Sequence, residues 1–347
     1  MSWQKPGRRE ETGRTLPGSR LVLAVLIVMF LLFIVWQGGR LRREIGPRTV
    51  NVYCFSALEE VMTEEILPAF QEAWSRRTGE RVEFITTFAG SAALTDRIIA
   101  KFPAEIAVLS SEIDAMRLVR RGVLPGPTWR MSPNAGVFTR SPMAIRVREG
   151  NPLGILGFED LARDGLRLLL ADPASSGAGE WTLLAVHGSE LRASGDPEKA
   201  RDLLQRVWRN AEAVEPSARL LRARFEEGAG DATITYEADI LRRFAPERAR
   251  EELVVPPRTI VSEPVVVKIG RNVTAEQKEV VDSLIAFFWG ERAQTILVER
   301  GFRSVDDARN AASSRFSEAK ASFTLQEIGG ADWAEAEVLG KPWRGER

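Results

Sequence analysis

Two apolar rhythms alternate along most of the chain. Short runs of strand type occur at 49–55 (TVNVYCF), 81–87 (RVEFITT) and 105–109. Each is followed by a stretch whose apolar residues fall on one helical face, predicting helices at 57–77, 92–101 and 111–121. In the first of these the stripe is Val61, Ile66, Phe70 and Trp74. The alternation predicts a mainly parallel, doubly wound α/β sheet. A Pro/Gly-rich stretch at 122–136 interrupts it, and then it resumes. Strands are predicted at 143–148, 167–171, 212–214, 231–236, 251–255 and 264–269. Helices are predicted at 158–163, 179–192, 197–209, 219–227 and 237–245, with a helical end at 274–289, 291–300, 304–313 and 325–338. No fixed-period repeat and no low-complexity segment is present.

One run fits neither rhythm. Leu21 to Trp36 (LVLAVLIVMFLLFIVW) is continuously apolar and, with Gln37 to Gly39, approaches the roughly 20 residues that span a bilayer. The run is long for a cleavable signal, has no A-x-A site behind it and no cysteine at its end, so an uncleaved anchor at 21–39 is expected. Five basic residues precede it (Lys5, Arg8, Arg9, Arg14, Arg20) and three follow at once (Arg40, Arg42, Arg43). That imbalance favours a cytoplasmic tail at 1–20 and places the rest of the chain outside the cytoplasm, after a linker at 40–48.

Charge sharpens this division. The 347 residues carry 48 basic and 48 acidic side chains, a formal zero. Residues 1–43 hold +6, however, leaving −6 on 44–347. A neutral chain of this kind is no polybasic nucleic-acid binder, and 44% hydrophobic content excludes a disordered acidic tail. The lone Cys54 forms no internal disulfide and argues against a thiolate metal site. The lone His187 leaves little room for a metal site or a Ser/His/Asp triad, and is expected on a surface or half-buried helix face. No paired-carboxylate motif or Gly-rich nucleotide loop is present, so no enzyme, cofactor or metal is expected.

The candidate chemistry lies between strands and helices. Ser56 follows the first strand and opens S-A-L-E, a capping-box pattern with Glu59. Phe88-Ala89-Gly90-Ser91 follows the second, Asp172 to Gly179 (DPASSGAG) follows strand 167–171, and Glu215-Pro216-Ser217-Ala218 follows strand 212–214. Each junction sets a serine hydroxyl beside the free N–H groups of a helix start, where the dipole favours an anion. Gly90, Gly177, Ala178 and Ala218 allow close approach to the backbone. In an α/β sheet these are the carboxyl ends of strands, where ligands bind. The plainer reading is that Ser56, Ser91 and Ser217 are ordinary helix caps. The Ser175-Ser176-Gly177-Ala178-Gly179 run goes beyond what capping needs, and the set spread over both halves of the chain suggests a small anion held between two lobes.

At these residues the chain resembles the extracytoplasmic sulfate/thiosulfate-binding proteins of ABC importers. The resemblance runs from about 50 to about 338, through VEFITTFAGSAALT (82–95), EIAVLSSEIDAMRLVRRGV (105–123), VREGNPLGILGFEDL (147–161), DPASSGAGEW (172–181), 217–219, FEEGAGDATITYE (225–237), Glu263-Pro264, FTLQEI (323–328) and Trp333. It implies a two-lobed type II periplasmic-binding-protein fold with a hinge. Lobe I would be 49–138 and 262–347, lobe II 139–261, with crossings near 138–142 and 258–263. It also implies a dehydrated oxoanion held by neutral donors, with matching positions at Ser91, Ser176, Gly177, Ala178 and Ala218, and Tyr236 at an aromatic donor position.

The pattern departs from that family in places. Cys54-Phe55-Ser56 replaces an aspartate followed by proline, and Ala89-Gly90 replaces Gly-Gly. Glu180 stands where the family has an arginine, and Tyr236 where it has a tryptophan. Glu180 reads as a solvated first-turn residue favoured by the helix dipole; facing the cleft, it would favour a protonated oxoanion such as phosphate over sulfate. The expected protein is a membrane-anchored, monomeric solute-binding component with a small oxoanion ligand and ABC permease partners. The alternative is a ligand-sensing receptor of the same fold, acting with a separate signalling partner and binding phosphate, molybdate or another ligand.

Overall fold

In the computed structural model, residues 22–34, 47–241, 251–317, 320–341 and 343 are described. Within the expected anchor, 22–34 is helical and exposed throughout. No helix among the described residues is long and apolar enough to cross a membrane. The expected tail at 1–20, the rest of the anchor and most of the linker lie outside the described residues.

The first strand, β1 (Arg48–Phe55), is central in a four-stranded sheet. It pairs in parallel with β2 (Val82–Ala89), from Arg48↔Val82 to Phe55↔Ala89, and with β3 (Ile106–Leu109). Parallel neighbours require crossovers, and helices supply them. The predicted helix at 57–77 is broken. A 3₁₀ turn (Ser56–Leu58), one helical turn (Glu59–Val61) and a wide π turn (Met62–Ile66) precede α1 (Leu67–Thr78). The break has a cause in Pro68, which has no N–H and whose ring crowds the preceding turn; the widened turn relieves this. Gly79, at φ 72°, then stops the helix. The next crossover is α2 (Ser91–Ile99), and α3 (Glu112–Arg120) follows β3.

The second sheet is larger. Its spine is β4 (Thr139–Arg148), four residues longer at its start than the pattern predicts, because Thr139, Arg140, Ser141 and Pro142 carry no apolar alternation. Around it lie β5 (Leu168–Ala171), β6 (Ala211–Glu215), β7 (Ala232–Tyr236), β8 (Glu251–Val254) and β9 (Arg258–Ser262). β10 (Val265–Lys268) returns to the first sheet, antiparallel to β3. β11 (Arg303–Ser304) and β12 (Ala321–Phe323) join the larger sheet, giving a main order β12-β9-β4-β7-β5-β6. β9, β11 and β12 had no strand signal, being short and, for β9, preceded by Pro256-Pro257.

Three helices complete the second layer: α4 (Gly177–Ser194), α5 (Pro197–Arg209) and α6 (Ala218–Glu226). α4 is buried on every side from Gly177 to Ser189, its polar residues Glu180, Thr182, His187 and Ser189 included. The C-terminal stretch covers it. A Cβ on Gly188 would meet the Phe323 ring at 2.7 Å, and the Trp333 ring lies 5.9 Å from that of His187. His187 is therefore buried, not at a surface; the C-terminal cover was invisible to a local pattern.

The first two passages of the chain between the sheets run side by side as a ribbon; a third follows where β11 and β12 join the larger sheet. Val137 bridges to Val265 of β10, and then Ser141 and Pro142 of β4 pair antiparallel with Ser262 and Val261 of β9. The Ser262 hydroxyl donates to Ser141 O at 2.9 Å and the Thr259 hydroxyl to Met143 O at 2.6 Å. Both crossings are thus neighbours, and the two sheets make two lobes.

Candidate functional site

The carboxyl ends of strands from both sheets meet at one seam. A Cβ added to Gly90, after β2, would lie 2.1 Å from Ser175 O and 2.9 Å from Pro216 O. A Cβ on Gly177, the first residue of α4, would lie 1.7 Å from Ser110 Oγ and 3.2 Å from the Ser91 Cβ. Three of the predicted junctions, those at Gly90-Ser91, 172–179 and 215–218, are therefore in contact. A fourth, after β3 at Ser110-Ser111, joins them. Across the seam the Ala93 N–H donates to Ser175 O at 3.3 Å, and the Trp181 indole N–H to Ser110 O at 3.0 Å. Phe55 meets Tyr236 edge-on at 6.0 Å. At the rim Arg219 pairs with Glu59 at 3.2 Å and Arg222 with Glu60 at 2.6 Å.

Each predicted residue has a definite place. Ser91 does not cap α2: the cap position is Gly90, and the Ser91 hydroxyl accepts from the Ser110 N–H at 2.9 Å. Ser217 does cap α6, accepting from the Leu220 N–H at 3.3 Å. Ser176 stands at the cap position of α4 with no side-chain cap bond and is buried. Gly177, Ala178 and Ala218 are buried first-turn residues. Ser56 is buried in the 3₁₀ turn after β1, beside α6. Its expected capping box does not form, because the chain enters a 3₁₀ turn and Glu59 reaches across to Arg219 instead. Tyr236 ends β7 and is buried.

Several seam residues went unread in the sequence: Ser110, Ser111, Asp114 and Trp181. The signal was available, since Ser110-Ser111 sits between a strand and a helix like the other junctions. Their state is informative. The hydroxyls of Ser110, Ser111 and Tyr236 and the carboxylates of Asp114 and Glu180 are all buried here. Tyr236 lies against Ser110, and Asp114 against Ser91, Thr95 and Arg117, whereas the Ser111 hydroxyl and one oxygen of Glu180 have no hydrogen-bond partner among the described residues. So many buried polar groups at one seam make it the candidate site.

Glu180 corrects an expectation. It is not solvated: only 6% of it is exposed, in the first turn of α4 facing the other lobe. Burial, with the Asp114 charge added, holds its carboxyl well above the usual range. Burial likewise raises Asp114, against the lowering effect of Ser91 and Arg117. Arg117 lies 3.1 Å from Asp114 and 2.8 Å from Asp96. Burial, then Asp239 and Glu180, push the Tyr236 phenol well up, so it is a neutral hydroxyl able to donate. Among the described residues no His, Cys, Asp or Glu cluster could hold a metal ion.

Open space flanks the seam on two sides. A 440 Å³ cavity is lined by Ala92, Arg117, Pro173, Glu180 and Glu335, and one of 330 Å³ by Glu112, Arg130, Trp181, Glu263 and Gln326. A third groove, of 700 Å³, lies between α1 and helix Lys278–Phe287; it is lined by Phe70, Trp74 and Phe287 with Arg77, Lys278 and Asp282, and by none of the predicted site residues.

Two α/β lobes joined by a ribbon, with strand ends and helix starts facing one another, define a periplasmic-binding-protein fold. The chain belongs to the family of bacterial extracellular solute-binding proteins, which it matches over residues 50–303. It is 27% identical over 286 residues to the sulfate-binding protein of Synechococcus elongatus, covering 81% of this chain and 80% of that one. It is 27% identical over 247 residues to the thiosulfate-binding protein of Pseudomonas aeruginosa, covering 69% and 74%. Among solved structures, the sulfate-binding protein of Mycobacterium tuberculosis superposes with a TM-score of 0.74 at 26% identity, covering 84% of this chain and 98% of that one. The resemblance read from the sequence therefore holds, and the family is one of binding proteins rather than enzymes.

Proposed function

We propose that the chain is an extracytoplasmic binding protein, held to the membrane through residues 21–39, that captures a small oxoanion of the sulfate type between its lobes for an ABC importer. The observation that carries this reading is the seam itself. Junctions of both lobes meet there, at Gly90 against Ser175 and Pro216 and at Gly177 against Ser110 and Ser91, and the hydroxyls of Ser110, Ser111 and Tyr236 are buried. Ser56, Ser91, Ser176, Gly177, Ala178, Ser217, Ala218 and Tyr236 would surround the ligand, with Ser110 and Ser111 added. A ligand touching both lobes stabilises the closed form. The relatives named for sulfate and thiosulfate point to the same ligand class.

The test is thermal unfolding of the full chain with millimolar sulfate, thiosulfate, phosphate or molybdate. A ligand at 100 times its Kd adds about 2.7 kcal/mol to the folded state. A clear rise in Tm with at least one of them is the expected result; no rise with any refutes the oxoanion reading. Ser176→Ala should then weaken binding by about 1.5–3 kcal/mol, the usual worth of a hydrogen bond to a charged group.

A further inference from the structure

The 440 Å³ cavity beside the seam has a lining of its own. We propose that it takes a small organic cation, a primary alkylammonium ion, whose N–H groups bind Glu180. The site is separate from the serine junctions and stands whether or not the seam holds an oxoanion. Its walls come from three parts of the chain: Ala92 and Ile113 of the first lobe, Pro173 and Glu180 of the second, and Glu335 and Leu339 of the C-terminal segment. Glu180 is only 6% exposed, and its Oε2 has no hydrogen-bond partner among the described residues. A buried carboxylate without a donor is costly, so it either keeps a proton or gains a cation. Burial pushes its carboxyl up, the response of an acid that lacks a partner.

The cations of these walls are engaged elsewhere. Arg117 lines the same cavity, but it lies 3.1 Å from Asp114 and 2.8 Å from Asp96. Glu335 is paired with Arg120, which also holds Asp332 at 2.8 Å. Lys341, next to the lining residue Gly340, is bound to Glu337 at 2.9 Å. Together with Glu180, the partners of Arg117 and Arg120 make five carboxylates (Asp96, Asp114, Glu180, Asp332 and Glu335) against two guanidiniums, so the cavity favours a positive guest.

The rest of the lining sets the chemistry of that guest. Among the described residues no His, Cys, Asp or Glu cluster could ligate a metal ion. Ala92, Ile113, Pro173 and Leu339 present apolar walls, and 440 Å³ falls within the roughly 300–1,000 Å³ of small-molecule sites, so a short alkyl body has room. An ammonium group brings three N–H donors to the unpartnered carboxylate oxygen. Because both lobes contribute walls, a guest there ties them together.

Ethylammonium chloride is the probe. Tetramethylammonium chloride, which has no N–H, and sodium chloride at equal concentration are the controls. Thermal melts and calorimetric titration of the full chain should show a rise in Tm and saturable binding with millimolar ethylammonium, and neither with the controls. Glu180→Gln keeps the shape but removes the charge, and should weaken ethylammonium binding about tenfold or more. Ala174→Phe, at an exposed position of the same wall, should block the cavity and abolish the Tm rise, and it decides the matter should Glu180→Gln fail to fold. Absence of saturable binding in the wild type overturns the proposal and leaves Glu180 a protonated buried acid. Equal binding of tetramethylammonium, or wild-type affinity in either variant, overturns it too, since the N–H groups or the cavity would then play no part.

Discussion

Gly177→Ala tests the seam with one methyl group. A Cβ there would sit 1.7 Å from Ser110 Oγ and 2.5 Å from Ser110 Cβ. The hydroxyl can swing away by changing rotamer, but the Cβ is fixed to the end of β3. Carbon atoms rest about 3.5–4.0 Å apart, so the two surfaces must separate by roughly 1–1.5 Å. Overpacking of this kind costs about 1–3 kcal/mol. The cost falls on the closed form alone, because the obstruction lies on the opposite lobe and opening relieves it. At about 1.4 kcal/mol per factor of ten, sulfate affinity should drop roughly 5- to 150-fold. Alanine is the better helix former by about 1 kcal/mol, so ligand-free Tm should not fall by a matching amount. Gly179→Ala is the control. Its Cβ would meet the backbone of Ala171, Asp172 and Pro173 within the same lobe, at 2.4–2.6 Å, so it should lower Tm without ligand. Calorimetric titration with sulfate and thermal melts of both variants decide the matter. Wild-type affinity in Gly177→Ala would refute the claim that the lobes close at this point.

Two further outcomes follow from buried polar groups. Tyr236→Phe removes a buried hydroxyl that lies against that of Ser110, so ligand-free stability should fall by no more than about 1 kcal/mol, while sulfate binding should weaken by about 1.5–3 kcal/mol if the phenol donates to the anion; an unchanged affinity would place Tyr236 outside the ligand shell. His187, buried and beside Arg201, has its pKa pulled down to about 4 and is neutral in the fold. Its stabilising effect is present above the ordinary histidine range and lost as pH falls toward 4, so His187→Gln should flatten the acid side of the Tm-versus-pH curve; an identical acid limb would count against this.

The α/β alternation was legible because strand and helix each bury one regular face, and β1 to β3, α2 and α3 lie within a few residues of their predicted bounds, whereas the helix predicted from 57 becomes regular only at Leu67. The junction serines were legible for the same reason: a hydroxyl between a strand and a helix has few other places to go. What escaped depended on partners distant in sequence. β9 and the start of β4 are strands because they pair with each other and with β12 and β11, all distant in sequence. His187 is buried only because the segment around Phe323 and Trp333 folds over α4. Glu180 obeys the local rule for a first-turn acid, yet the opposite lobe shields it from water, and no local pattern carries that. Ser217, by contrast, behaves as the plainer reading had it and caps its helix.

The paired crossings at 141–142 and 261–262 have a mechanical consequence. Two separate linkers would let the lobes tumble on independent tethers. Hydrogen-bonded side by side, they can twist and bend but cannot slide past one another without breaking the ladder and the Ser262 bond to Ser141. The ribbon therefore restricts sliding of one lobe past the other, and the C-terminal segment that covers α4 adds a second tie, through the ion pairs of Arg120 on α3 with Asp332 and Glu335.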